Sequence, residues 1–162
     1  MSTQPAPRRN AAEQRKLDAA LTELFERKIT FNQTLGLEVV HLGPGGPRLG
    51  FAMRPELVGH YQYGRLHGGV ISATLDATAG LAIMVALAEK HADEPAEQIV
   101  QRFTRLGTID LRVDYLRPGL GRHFTASADI ARLGGRVASV QMRLVNDGEQ
   151  LIATGAASYI LS

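Results

Sequence analysis

Hydrophobic positions recur along this chain with changing period, and each change marks an element. Over residues 11–29, Leu17, Ala20, Leu21, Leu24, Phe25 and Ile29 recur at helical spacing with charged residues between them, which predicts an amphipathic helix packed against something else. Residues 31–35 read as a short connector. Segments 37–42 and 48–54 then fit two strands around the turn Gly43-Pro44-Gly45-Gly46-Pro47. A loop over 55–66 carries His60, Tyr61, Tyr63 and Arg65. From Gly68 to about Lys90 the chain is apolar nearly all round, the pattern of a buried helix. A second helical piece over 94–103 holds Pro95 in its first turn, where proline is tolerated.

Further on the period drops to two. Ile109, Leu111, Val113 and Tyr115 alternate with Asp110, Arg112 and Asp114; Phe124, Ala126, Ala128 and Ile130 alternate with Thr125, Ser127 and Asp129. Ala138, Val140, Met142 and Leu144 repeat the pattern, and residues 151–161 close the chain as a last strand, so each strand is expected to have one dry face. The links Arg117-Pro118-Gly119, Gly134-Gly135 and Asn146-Asp147-Gly148 are short, which implies an antiparallel meander of these four strands. With the two earlier strands in the same sheet, the expected class is α+β, about six antiparallel strands around one long apolar helix. Residues 1–10 read as a disordered lead, 11–30 as the N-terminal helix and 31–162 as the sheet-and-helix domain.

Composition narrows the function. At 162 residues there is room for one domain. Eighteen basic residues against 16 acidic leave a net charge of +2, a small excess rather than a basic domain, so nucleic acid is not implied. The absence of cysteine removes thiol nucleophiles, disulfides and thiolate metal sites; it fits a reducing compartment, with the cytoplasm as the default. The first residues contain Pro5, Pro7, Arg8 and Arg9 but lack the apolar core of a secretory signal. The apolar run 68–88 has Asp76 near its middle, with Ser72, Thr74, Thr78 and Gly80, which favours a buried helix over a membrane span.

The chemistry gathers where that helix begins. His67-Gly68-Gly69 puts free backbone N–H groups and the positive end of the macrodipole beside two residues without side chains, a setting that holds a developing oxyanion. Asp76 is costly to bury among Leu75, Ala77, Ala79 and Leu81 unless it has a task or a partner. It reads either as a general base or as a structural carboxylate capping a neighbouring loop. Eight residues separate Gly68 from Asp76, about 12 Å along a helix axis, too far to reach one carbonyl carbon. If both act on one substrate they come from different subunits, with two copies of the helix antiparallel across a two-fold axis and the site at a homodimer interface.

The segment from Leu66 to Leu81, with Gly107-Thr108-Ile109-Asp110-Leu111-Arg112-Val113-Asp114-Tyr115-Leu116-Arg117-Pro118-Gly119, closely resembles the hotdog-fold acyl-CoA thioesterases of the phenylacetate-pathway (PaaI-like) group, and within it most the YigI family. The resemblance spans about residues 31–161. It implies a small sheet wrapped around a central helix, subunits joined edge to edge, and dimers that pair into tetramers in many relatives. It also implies hydrolysis of acyl-CoA with broad specificity for medium to long chains. Carried over by position, Asp76 is the general base or nucleophile, the Gly68 amide is the oxyanion donor and Thr108 orients water. His67 reads as a residue that fixes the turn. Relatives often carry an asparagine near the substrate carbonyl in the loop before the motif; here His60 and Tyr61 stand at or beside that place and, with Gly69, are candidate substrate contacts. The turn holding Gly135 and Arg136 lies near the nucleotide end of coenzyme A in resembling enzymes, where a guanidinium suits phosphate. Asp110 and Asp114 read as salt-bridged with Arg112. No cofactor or metal is called for, since coenzyme A belongs to the substrate.

Two other functions fit the same residues. A hotdog enoyl-thioester hydratase or dehydratase needs a histidine paired with an acid, which His67 and Asp76 of another copy offer, although the His-Gly-Gly setting argues against it. A non-catalytic acyl-CoA sensor usually carries a DNA-binding helical domain, and the residues before the sheet hold one clear helix.

Overall fold

The longest apolar run becomes helix α3, Gly68–Lys90, and the rest of the fold follows from the need to cover it. The structure is a computed structural model, and it describes residues 8–162. His67 caps α3, and Leu75, Leu81, Ile83 and Met84 are fully buried along it. By length and composition α3 is apolar enough to cross a membrane, yet most of it is enclosed by the rest of the chain. Its cover is an antiparallel sheet whose inner face supplies Leu49, Phe124, Ala126, Met142, Leu144 and Ile152. Each fully buried side chain of this size contributes about 1.5–3 kcal/mol.

The strands are β1 (Glu38–His41), β2 (Arg48–Ala52), β5 (Gly107–Tyr115), β6 (His123–Leu133), β7 (Val137–Asn146) and β8 (Leu151–Ile160). Their order in the sheet is β1-β2-β6-β7-β8-β5 around α3, the hotdog arrangement. One expectation is corrected here. Strands β6, β7 and β8 form a meander, but β5 pairs with β8 at the far edge and not with β6. The short link after β5 is therefore a crossover rather than a hairpin turn. It passes three strand spacings, about 14 Å, and seven extended residues reach about 23 Å. Hydrogen bonds fasten it on the way: the N–H groups of Leu116 and Arg117 donate to Ile152 O, and Asn146 Nδ2 donates to Leu120 O at 2.8 Å.

Strand β5 also departs from strict alternation. The register against β8 jumps between Thr108 and Asp110, a bulge at Ile109. Thr108, opposite Tyr159, faces the helix together with Leu111 and Val113, while Ile109 is pushed out to 56% exposure. The expected dry face of β5 is thus incomplete, and Tyr115 at its other end is also half exposed.

The N-terminal region differs most from expectation. Helix α1 (Ala11–Glu23) is capped by Asn10, whose side chain accepts the Glu13 N–H at 2.9 Å. It ends in a single π turn, Leu24–Lys28, where the Ile29 N–H reaches Leu24 O at 3.1 Å. The expected connector is a second helix, α2 (Thr30–Leu35), terminated by Gly36 at φ +70°. Phe31, Asn32 and Thr34 are weak helix formers, and tertiary contact overrides them. Of the expected lead, residues 1–7 lie outside the described residues, while Arg9 is fixed. Its N–H donates to Ala92 O at 2.6 Å and its guanidinium to the carbonyls of Ala88, His91 and Glu94 beyond α3.

Two smaller corrections complete the fold. Helix α4 is Ala96–Gln101, shorter than the expected 94–103, and continues as a 3-10 turn over Arg102–Arg105; the Arg102 guanidinium returns to the Glu94 carboxylate. The expected loop 55–66 contains a two-stranded ribbon, β3 (Val58–His60) with β4 (Arg65–Leu66). Gly59 packs the ribbon onto the start of α3 so closely that a Cβ would lie 2.5 Å from His67 Cα.

Candidate active site

Three elements converge on Asp76. The carboxylate, one turn inside α3 from Ala73, receives the Thr108 hydroxyl of β5 on Oδ1 at 2.9 Å and the Tyr159 hydroxyl of β8 on the same oxygen at 2.5 Å. The Tyr159 hydroxyl oxygen also lies 2.9 Å from the Asp76 backbone carbonyl oxygen, to which it can donate. Burial, and then the neighbouring carboxylate, push the Tyr159 phenol well above its ordinary value of 10, so it acts here as a donor only. With two donors on Oδ1, the carboxylate is held in one orientation and Oδ2 keeps its acceptor capacity.

Asp76, Thr108 and Tyr159 line a cavity of about 220 Å³ whose remaining wall is mostly apolar. Ala73, Asp76, Ala77 and Gly80 fall on one stripe of α3 along it, and Phe25, Ile29 and Phe103 face them. An acid at the mouth of an apolar chamber suits a substrate with a reactive polar centre attached to a hydrocarbon tail.

The start of α3 opens elsewhere. Gly68 lies in a wide hollow of about 370 Å³ with Leu66, Tyr115 and Arg117, and neither Asp76 nor Thr108 lines it. The Gly68 N–H makes no hydrogen bond among the described residues, whereas its carbonyl accepts the Tyr115 hydroxyl at 3.0 Å. Tyr115 also lies against the glycine, where a Cβ would meet its ring at 3.3 Å. His67 Nδ1 accepts the Gly69 N–H at 2.8 Å, so the imidazole is committed to the turn and Gly69 has no amide to offer a ligand. The free amide at this helix start is that of Gly68.

The structure thus brings Asp76 and Thr108 together and leaves Gly68, His67 and Gly69 as a second group. His60 sits at the end of β3 with its Nδ1 buried and without a partner, its ring 4.7 Å from Tyr63 and 5.9 Å from Tyr61. Tyr61 is 87% exposed. Gly135 and Arg136 form the exposed turn between β6 and β7, and the described contacts of Arg136 are with neither group: its carbonyl accepts the Leu161 N–H at 2.9 Å. Because Val137 pairs with Ile160 and Ile160 with Gly107, this turn lies at the Thr108 end of the sheet. Asp114 pairs with Arg112 at 3.0 Å, while Asp110 has no such partner among the described residues.

Sequence reasoning missed Tyr159 and Tyr115, which respectively hold the acid and the helix start. The available signal for Tyr159 was its inward phase: it follows Ala153, Gly155 and Ala157 at every second residue, a large polar-tipped side chain among small ones.

Comparison with known proteins gives the family. The model of the thioesterase superfamily matches residues 63–153, which include the His67 turn, α3 and β5 to β7. The chain belongs to the thioesterase superfamily. It is 40% identical over 139 residues to the medium/long-chain acyl-CoA thioesterase YigI of Salmonella typhimurium, covering 86% of this chain and 90% of that protein. The Escherichia coli protein of the same name is 39% identical over the same length. Among solved structures, a thioesterase-superfamily protein of Shewanella oneidensis superposes with a TM-score of 0.87 at 36% identity, covering 95% of this chain and all of the other. A Syntrophus aciditrophicus structure described as a putative thioesterase gives 0.81 at 42% identity, covering 94% of this chain and all of that one. The chain is accordingly a thioester hydrolase.

Proposed function

We propose that this thioesterase hydrolyses acyl-CoA of medium to long chain length, as the YigI relatives do by name, at a site shared between two copies of the chain. The observation that carries this reading is the separation of Gly68 and Asp76 into different hollows of one subunit. One copy supplies the acid and the acyl chamber, and the other supplies the Gly68 amide. The exposed edge strand β5, with Ile109, Tyr115 and Leu116 uncovered, is the seam at which two sheets join.

Asp76 takes a proton from water as the oxygen adds to the thioester carbonyl carbon. The resulting oxyanion accepts the Gly68 N–H. Collapse of the tetrahedral intermediate breaks the C–S bond, releases the carboxylic acid and returns the proton to the departing thiolate of coenzyme A. General base action contributes about 10²–10⁴ in rate, and one backbone donor to the oxyanion about 3 kcal/mol. Thr108 and Tyr159 keep the acid oriented throughout. Arg136, at the Thr108 end of the sheet, is the cation offered to coenzyme A phosphate, and His60 and Tyr61 flank the helix start that meets the carbonyl.

Subunit mixing tests the shared site. Gly68→Pro removes the amide at a position where proline's φ fits and where His67, at φ −65° and ψ 138°, already has a conformation compatible with a following proline. Asp76→Asn removes the base. Each variant alone is expected to be nearly inactive on acyl-CoA, whereas an equal mixture refolded together recovers about a quarter of the wild-type rate, because half the dimers then carry one intact site. No recovery, with dimers verified by sedimentation, overturns the shared site.

A further inference from the structure

One wall of the chamber beside Asp76 is made of residues that the hydrolytic chemistry does not use. Phe25 and Phe103 meet there edge to face with ring centroids 5.7 Å apart, and Gly80 of α3 lies opposite them. Phe25 is placed by the π turn. An ordinary α-helix would continue the ladder of α1 through this segment, but one surplus residue shifts the bonding, so that Ile29 N–H reaches Leu24 O. The Phe25 carbonyl then accepts the side-chain amide of Asn32, which is buried, at 3.0 Å. A helix irregularity with its own buried amide support beside a cavity is a built feature, since such bulges cluster at functional sites.

Gly80 completes the wall by what it lacks. It sits in the middle of a 23-residue helix, where glycine is unfavourable by about 1 kcal/mol relative to alanine. No backbone crowding requires it. A Cβ at this position would find Leu106 Cδ2 and the Phe25 ring at 3.8 Å, ordinary contact. The missing side chain is therefore space in the chamber rather than relief of a clash.

We propose that the N-terminal π turn is the ruler for acyl-chain length: Phe25, Phe103 and Gly80 set the depth of the chamber, and the hydrocarbon tail of the substrate ends against them. This deepens the acyl-CoA reading above and rests on it. The lined space of about 220 Å³ is room for the buried part of a hydrocarbon tail. Longer tails must displace Phe103 or Phe25.

The test is the ratio of kcat/KM for hexadecanoyl-CoA to that for butanoyl-CoA, measured on the full chain and on Gly80→Leu, Gly80→Ala and Phe103→Ala, with melting temperatures recorded for each. Gly80→Leu is expected to lower the ratio about ten- to hundredfold by filling the end of the chamber, Gly80→Ala to lower it by less, and Phe103→Ala to raise it, with steps of the size one or two methylenes give in an apolar pocket. Folded variants whose ratios all stay within twofold of wild type overturn the ruler. So does an equal loss on every chain length, which would make the wall structural. Should Gly80→Leu fail to fold, the alanine variants decide alone, since opposite shifts are required of them. A wild-type chain that turns over no acyl-CoA at all would instead defeat the function proposed above and is recognised before any variant is made.

Discussion

The surroundings of Asp76 and of Gly68, two positions on one helix, meet solvent in contrasting ways. The acid lies beside a mostly apolar, partly open chamber, with hydroxyl donors on two strands. The glycine sits at a wide mouth beside the exposed ring of Tyr115, with an amide that makes no hydrogen bond among the described residues. The first region has its polar partners within the chain, and the second, on the proposed reading, is completed by another copy. A helix about 35 Å long at 1.5 Å per residue can serve two sites at once in this way, one through its start and one through its body.

Breaking the acid's side has the largest expected effect. Asp76→Asn is expected to lower kcat for acyl-CoA by about 10²–10⁴ with little change in melting temperature, because the amide oxygen still accepts from Thr108 and Tyr159. An unchanged rate removes the base assignment. On the open side Gly68→Pro is expected to lower kcat by about 10²–10³, with far-UV circular dichroism unchanged. A loss seen only in KM would mean that this amide binds the ground state and not the oxyanion.

Tyr159→Phe sharpens the contrast at an intermediate scale. It removes a hydrogen bond to a charged group, worth about 1.5–3 kcal/mol, and is expected to reduce kcat roughly tenfold by freeing the carboxylate to rotate. It also carries a pH signature. The phenol ionises at a higher pH folded than unfolded, so the stability it confers is complete below pH 10 and is lost as pH rises through and beyond that value. Thermal melts between pH 8 and 11 should therefore fall less steeply in the variant; equal slopes would show that Tyr159 is not the group responsible.

The smallest effect lies away from the site. Hydrogen bonding to Arg102 holds the Glu94 carboxyl below its ordinary value of 4.5, and the Ala96 N–H does the same for Glu13 where α1 meets α4. Groups depressed in this way stabilise the fold above their unfolded values and release that stability as pH falls through the folded ones. Glu94→Gln is expected to flatten the loss of melting temperature between pH 6 and 3 by a few degrees, with turnover at neutral pH unaffected. An unaltered acid slope would assign acid sensitivity to other carboxylates.

How far the sequence foretold all this depends on whether the deciding contacts are local. The His67-Gly68-Gly69 turn and the acid at Asp76 were legible because helix start, glycine pair and misplaced charge lie within ten residues of one another. The long helix and most strands were equally plain, since their periods are strong. What stayed hidden came from pairing across the sheet. Tyr159 reaches Asp76 only because the inner face of β8 packs on α3, and the short link after β5 resembles a hairpin turn while serving as a crossover. Helix α2 and the ribbon β3–β4 stayed hidden for a different reason, being too short to show a period and stabilised by packing alone.

The surplus residue at Ile109 carries a constraint of another kind. It reverses the pleat of β5 between Thr108 and the residues after it, so inward and outward positions on its two sides are out of step. Pairing Ile109 in regular register, with no bulge, would change no polar group yet would swing Thr108 to the outer surface, away from the acid it touches. The ladder skips Ile109, so loss of that one residue keeps Thr108 and Leu111 on the inner face, whereas loss of Leu111 would turn Asp110 inward; tolerance to single-residue deletion should therefore be higher at Ile109 than at Leu111.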